Sequence, residues 1–161
     1  MQGSRGFTLL ELIIVFAVIA ILAAIGVASF VSYSRVQALQ TSTSTLSSTL
    51  SLARSRAISQ AKPTQCGNQV LNGYKVILNT SASSYELDAI CATSFSYVIQ
   101  TTYLPKNITF DAIKTTSTSF YFPVIVNGAI FVPTSLSSAT IYLNGYGNTK
   151  TVVVDSTGDI K

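Results

Sequence analysis

A chain of 161 residues has room for one domain plus an anchoring segment, and no more. Only 10% of its residues are charged and the formal net charge is a mild +4, against roughly a quarter charged in an average soluble domain, so it does not read as an ordinary soluble globular protein. Histidine is absent, which removes the commonest general base and metal ligand from consideration. Serine and threonine together make about a quarter of the chain, a hydroxyl-rich surface that suits an exported protein.

The first residues, Met1-Gln2-Gly3-Ser4-Arg5-Gly6, form a short polar leader. No charged residue follows from Leu12 to Ser34, and Leu12 to Val31 is almost wholly apolar. About 20 such residues, rising 1.5 Å each, span a hydrocarbon core of roughly 30 Å. Arg5 is held on the cytoplasmic side by the positive-inside rule, which predicts an N-in, C-out chain with its body exported. Such a segment admits three readings. A secretory signal peptide could be cleaved after Ala28, where Gly26-Val27-Ala28 passes as a small-x-small site, yet the run exceeds the ordinary h-region of about 7–15 residues. A plain, unprocessed signal anchor is the second. Neither accounts for Glu11, a carboxylate at the start of a membrane span, which is costly unless paired or close to the interface.

The third reading accounts for the whole arrangement. Gly6-Phe7-Thr8-Leu9-Leu10-Glu11, followed by the uncharged run, resembles the type III (prepilin) signal of type IV pilins and type II secretion pseudopilins. The resemblance implies cleavage between Gly6 and Phe7, N-methylation of Phe7, and retention of the hydrophobic helix, since the cut precedes it. It also assigns Glu11 to assembly: the carboxylate pairs with a neighbouring subunit's freed amine. Desolvation offsets much of that attraction, so its use is to set register, because a slipped subunit would bury an unpaired charge. Many relatives carry proline where this chain has Ala28. That proline marks where the helix can loosen in the filament; here the nearest helix-weakening residue is Gly26, which costs about 1 kcal/mol relative to Ala, and the departure leaves open whether this helix loosens on assembly.

Past the span the helical pattern continues. Val36, Leu39, Leu46, Leu50, Ala53 and Ala57 recur at three- and four-residue steps with Thr43 filling the gap, an apolar stripe expected to lie against a sheet. Pro63 disfavours helical geometry at Lys62, so one helix from about Thr8 to Ala61 is predicted to end near Gln60 to Lys62. Arg35, Arg54, Arg56 and Lys62 place part of the basic excess on this segment and read as a solvated face near anionic headgroups.

From Gly73 the pattern changes to strands, predicted at Tyr74–Leu78, Tyr85–Ile90, Phe95–Gln100, Ile108–Ala112, Ser119–Phe122, Ala129–Val132, Thr140–Leu143 and Thr151–Val154. Residues 79–84, 144–148 and 155–158 are turn sequences. Several short strands with no second helix predict an antiparallel β domain packed on the helix. Gly73-Tyr74, Leu104-Pro105, Asn127-Gly128 and the ending Val153-x-Asp155-x-x-Gly158-x-Ile160, with Leu52-Ala53-Arg54-Ser55-Arg56-Ala57-Ile58 late in the helix, are similar to the H-type minor pseudopilins and FimT-like minor pilins. Where these carry a basic residue after the last glycine, this chain has Asp159, a departure that weakens the DNA-binding role known for FimT-like proteins.

The remaining chemistry is sparse. Glu86 and Asp88 stand two apart on one strand and are expected to share a solvent-facing side; Asp155 and Asp159 bracket Gly158 in a turn, with too few oxygen ligands for a calcium site. No Walker loop, nucleophile elbow or zinc spacing is present, so no enzyme, catalytic residue, metal or cofactor is predicted. Cys66 and Cys91 flank the first hairpin; as an even pair in an exported domain they suggest a disulfide, with two buried free thiols as the alternative. Asn79-Thr80-Ser81 and Asn107-Ile108-Thr109 match the glycosylation sequon but read as turn and strand residues.

The resulting expectation is an α+β, pilin-like chain. Residues 1–6 are a prepilin leader, 7–34 a transmembrane and filament-core helix, 35–62 its amphipathic continuation and 63–161 an antiparallel β domain. The family resemblance implies a structural filament subunit. Its partners are other pilin or pseudopilin subunits, a prepilin peptidase, a platform protein with its assembly ATPase, and inner-membrane lipid. The alternative is a minor pilin at the filament tip that binds DNA during uptake, whose affinity would fall steeply with salt.

Overall fold

The computed structural model describes residues 8–92, 95–126, 128–132 and 136–161. Among the described residues, one helix, α1 (Leu9–Ile58), is followed by a short 3-10 turn at Thr64–Cys66 and eight antiparallel strands. These are β1 (Leu71–Asn79), β2 (Ser84–Cys91), β3 (Phe95–Tyr103), β4 (Ile108–Phe110), β5 (Ser119–Pro123), β6 (Ile130–Phe131), β7 (Ser138–Gly145) and β8 (Asn148–Asp155). The chain divides into two compact units, Met1–Arg35 and Val36–Lys161, and α1 contributes to both.

Within the first unit, α1 is helical through Gly26, and every side chain from Thr8 to Ala24 is exposed. A helix that is apolar all round satisfies its own backbone but not its side chains, and it needs a lipid or protein environment to cover them. It is long and apolar enough to cross a membrane.

Within the second unit, the later part of α1 lays a stripe on the sheets. Leu39, Leu46, Leu50, Ala53 and Ala57 are buried, and Thr43 fills the gap as the periodicity predicts. Val36 departs from the prediction: it is 46% exposed and lies outside the core. The stripe is instead broadened by Ser42 and Thr49. Small hydroxyls can be buried here because each bonds the carbonyl one turn back: Ser42 Oγ to Ala38 O at 2.9 Å, Thr43 Oγ1 to Leu39 O at 2.9 Å and Thr49 Oγ1 to Thr45 O at 3.0 Å.

The helix stops earlier than Pro63 suggests. Gln60 adopts φ 52°, Ala61 N–H donates to Arg56 O at 3.0 Å and Gln60 N–H to Ala57 O at 3.1 Å. This is a Schellman cap with glutamine in the place usually held by glycine. The Tyr74 hydroxyl then donates to the Ala61 carbonyl, tying β1 to the chain leaving the helix.

The strands form two sheets, β3-β2-β1-β5-β6 and β4-β7-β8. Each predicted strand coincides with one of them, although Ile108–Ala112 and Ala129–Val132 shorten to three and two residues. Asn127 lies outside the described residues. One core draws on α1 and both sheets, with Tyr74, Val76, Tyr85, Leu87, Phe120 and Phe122 from the first and Ile141, Leu143, Val152 and Val154 from the second. The β7–β8 turn uses only Tyr146 and Gly147, both at positive φ (53° and 79°), since Gly145 already pairs with Asn148. Two such residues define the type I′ turn, whose twist matches that of the flanking strands.

A disulfide joins Cys66 to Cys91 at the end of β2, with Cα atoms 5.5 Å apart and both residues buried. It closes a separation of 25 residues, for which the chain-entropy model gives about 3 kcal/mol. The double substitution Cys66→Ser/Cys91→Ser should therefore lower the unfolding free energy of the detergent-solubilised full chain by about 3 kcal/mol in a denaturant titration. Two reactive thiols in the denatured, unreduced parent protein would refute the bridge.

Candidate functional site

The acid that opens the apolar helix is Glu11. It stands in the first turn of α1, exposed among exposed Leu9, Leu10, Leu12 and Ile13. A helix start leaves amide hydrogens without partners, and Thr8 supplies the cap: its Oγ1 accepts from the Glu11 amide at 3.3 Å, and its carbonyl accepts from Leu12 N–H at 3.3 Å. The carboxylate also sits at the positive end of the helix dipole. Thr8-x-x-Glu11 is the capping-box signature, so the cap was readable from the sequence and is the feature the sequence analysis missed.

Among the described residues, no cation pairs with Glu11. A carboxylate on an apolar helix surface is tolerable in water or at an interface. Once lipid or another helix covers that surface, it requires a positive partner. Gly6 and Phe7, the predicted processing residues, lie outside the described residues.

The other acids of the β unit are already engaged. Arg54 Nη1 lies 2.9 Å from Asp159 Oδ1, and Arg54 Nη2 donates to Thr157 O at 3.2 Å. Lys161 Nζ lies 3.0 Å from Asp155 Oδ2, and this hydrogen bond raises the lysine's pKa. Asp111 Oδ1 accepts from the Lys114 and Ile113 amides at 3.1 Å each, and Oδ2 accepts from Asn144 Nδ2 at 3.1 Å. Those bonds, the Lys114 amide first, hold its carboxyl below the usual carboxylate range.

Glu86 and Asp88 share a side of β2 as the strand period requires, but Asp88 is not the solvent-facing acid expected. It is only 4% exposed, with Ser96 Oγ donating to its Oδ2 at 2.6 Å from β3 and Lys75 opposite it on β1. Strand pairing on both sides of β2 brings those neighbours over it, which a reading of one strand cannot foresee.

Among the described residues no three histidine, cysteine, aspartate or glutamate side chains gather as a metal would require. What the geometry offers is an apolar helix with one capped acid near its start, and a separately cored, disulfide-bonded β unit. Residues 1–27 match the prokaryotic N-terminal methylation motif, which takes in the leader, Gly6, Phe7, Glu11 and the first turns of α1. We found no similar curated protein and no similar solved structure.

Proposed function

We propose that this chain, which carries a prokaryotic N-terminal methylation motif, is a structural subunit of a type IV pilus or type II secretion-type filament. A prepilin peptidase cuts between Gly6 and Phe7, and Phe7 becomes the methylated N-terminus. The apolar helix survives the cut and holds the subunit in the inner membrane, N-in and C-out, until assembly. The observation that carries this reading is the methylation motif running directly into a helix apolar on all sides, with Glu11 in its first turn.

Assembly then follows from physical chemistry. Lipid covers the helix in the membrane, and the helices of neighbouring subunits cover it in the filament, where apolar surface must stay out of water. Cleavage creates a positive amine at Phe7. Glu11, freed of any need to cap its own helix by Thr8, is available to meet the amine of a neighbour. The pair selects one axial position, because any other leaves a carboxylate buried and unpaired. A platform protein and an assembly ATPase would supply the work. The late-helix Arg54–Arg56 stretch and the β8 ending support placement among the H-type pseudopilins and FimT-like minor pilins.

The test is mass spectrometry of filaments sheared from native cells, reading both the N-terminal peptide and the stoichiometry. A chain beginning at methylated Phe7 is expected. A dominant amount identifies the main building block, and a trace amount a priming or tip subunit. A mature chain beginning at Ser29, after Ala28, would overturn the reading.

A further inference from the structure

The second sheet ends on β8, and a short segment of the chain lies along the outer edge of that strand. Residues 157–161 turn back at Gly158, whose N–H donates to Asp155 O at 2.8 Å, and run antiparallel to β8. Val153 and Lys161 exchange both backbone hydrogen bonds, at 2.8 and 2.9 Å, and Asp155 N–H donates to Asp159 O at 2.9 Å. The segment brings little apolar cover of its own. Thr157, Asp159 and Lys161 are exposed, Gly158 has no side chain, and Ile160 is only half-buried.

One residue of α1 holds the segment from its other side. Arg54 Nη1 donates to Asp159 Oδ1 at 2.9 Å and Nη2 to Thr157 O at 3.2 Å, so its fork grips two points. Gly158 rests on the same guanidinium: a Cβ there would come 3.0 Å from Nε, which is buried beneath it. Two stretches that the sequence sets far apart, residues 52–58 and 153–160, therefore meet through Arg54.

We infer that residues 157–161 form a strap that opens and closes as one unit over the edge of β8, with Arg54 as its latch. Ser156 is the fixed hinge, since its N–H donates to Ser137 O and its carbonyl accepts from Ala129 N–H, both at 2.9 Å. Beyond it no part is held independently: the fork fixes Thr157 and Asp159, Asp159 bonds Asp155, and Lys161 bonds Val153. A segment held by exposed polar bonds, with little apolar surface buried, opens far more readily than the sheet unfolds. Opening frees the Val153 and Asp155 amides, the positions a foreign strand would bond, so the closed strap blunts this edge. It also removes one wall of a cleft of about 650 Å³ that Ser51, Arg54, Ser55 and Ile58 share with Ile160 and Lys161. Ionic strength is the input. The Asp159 side chain is 57% exposed in its pair with Arg54, and salt screens such a pair. The second tie, Lys161 Nζ to Asp155 Oδ2 at 3.0 Å, is open to the same screening.

Amide hydrogen exchange on the detergent-solubilised full chain tests the strap, with an internal control in the same strand. Val153, Asp155 and Lys161 donate across the strap, whereas Val152 and Val154, paired with Ile141 and Ala139, face β7. The first three should share one level of protection, about a hundredfold below that of Val152 and Val154. Arg54→Ala should lower that shared level about tenfold further and leave Val152 and Val154 unchanged. Asp159→Asn, which keeps a neutral acceptor at the fork, should lower it about threefold. Raising the ionic strength from about 0.1 M to about 1 M should cost the parent chain about threefold and Arg54→Ala less. Protection equal to that of Val152 and Val154 would mean that the segment opens only with the sheet. Three unequal levels would mean that it frays residue by residue, and either result overturns the strap. Parental protection in Arg54→Ala would remove the latch. Where Arg54→Ala loosens all of β8, Asp159→Asn decides, and parental protection in that variant overturns the latch as well.

Discussion

Glu11→Ala should leave cleavage at Gly6–Phe7 intact while filaments disappear from sheared fractions. In the assembly proposed above Glu11 is one partner of a buried ion pair, and removing one partner costs about 3–5 kcal/mol because the other charge stays buried without compensation, which is at least a hundredfold in the docking equilibrium. The local cost is small by comparison, about 0.3–1 kcal/mol for the lost carboxylate–dipole interaction. Thr8 caps the backbone amide of residue 11 rather than its carboxylate, so an alanine there retains the cap and the helix start. Leu10→Ala, on the same turn and also exposed, is the control, and it should assemble nearly normally. Quantifying sheared filaments and the processed N-terminus in the same cells separates the two effects. Filament yield in Glu11→Ala equal to that of the parent would remove the carboxylate from the assembly mechanism.

Phe120→Ala is the second large effect. Phe120 lies in β5 with no exposed surface, opposite Val76 on β1 and Phe131 on β6, and its ring meets that of Phe131 edge to face at 5.8 Å and 70°. Truncating a buried phenylalanine loses its transfer free energy and leaves a cavity, together about 3–5 kcal/mol. A domain of this size holds only about 5–15 kcal/mol in total. Denaturant unfolding of the detergent-solubilised full chain should therefore show a much lower midpoint for Phe120→Ala. Val98→Ala, on the exposed edge strand, should shift stability by no more than about 0.5 kcal/mol. Equal midpoints for the two variants would mean that β5 is not at the centre of the core.

The same contrast separates local from long-range information in this chain. The uncharged run, the helical stripe from Leu39 to Ala57 and the alternation of each β segment are periodic signals, and periodicity reports which side of an element seeks cover without needing to know what covers it. The methylation motif is likewise a contiguous run of residues, so Gly6, Phe7, Glu11 and the capping spacing of Thr8 are all legible in it.

Assignment of the strands to two sheets was not legible, because pairing depends on residues far apart in the chain. Asp88 reads as solvent-facing from its own strand for that reason, whereas the flanking β1 and β3 cover it. Gly73 is another case. In the sequence it marks only where the strand pattern begins, but it stands inside β1, where an added Cβ would come 2.3 Å from the Phe122 carbonyl oxygen on β5. The strap over the β8 edge has the same origin, since whether a strand lies at an edge is a property of the sheet. The sequence by itself determined the anchor, the order of the elements and the face each one buries, all set by neighbours within a few residues. Which strands meet, which acid is covered and which edge is left unpaired were decided only by tertiary structure, because backbone hydrogen bonds and side-chain cover come from partners the local chain does not contain.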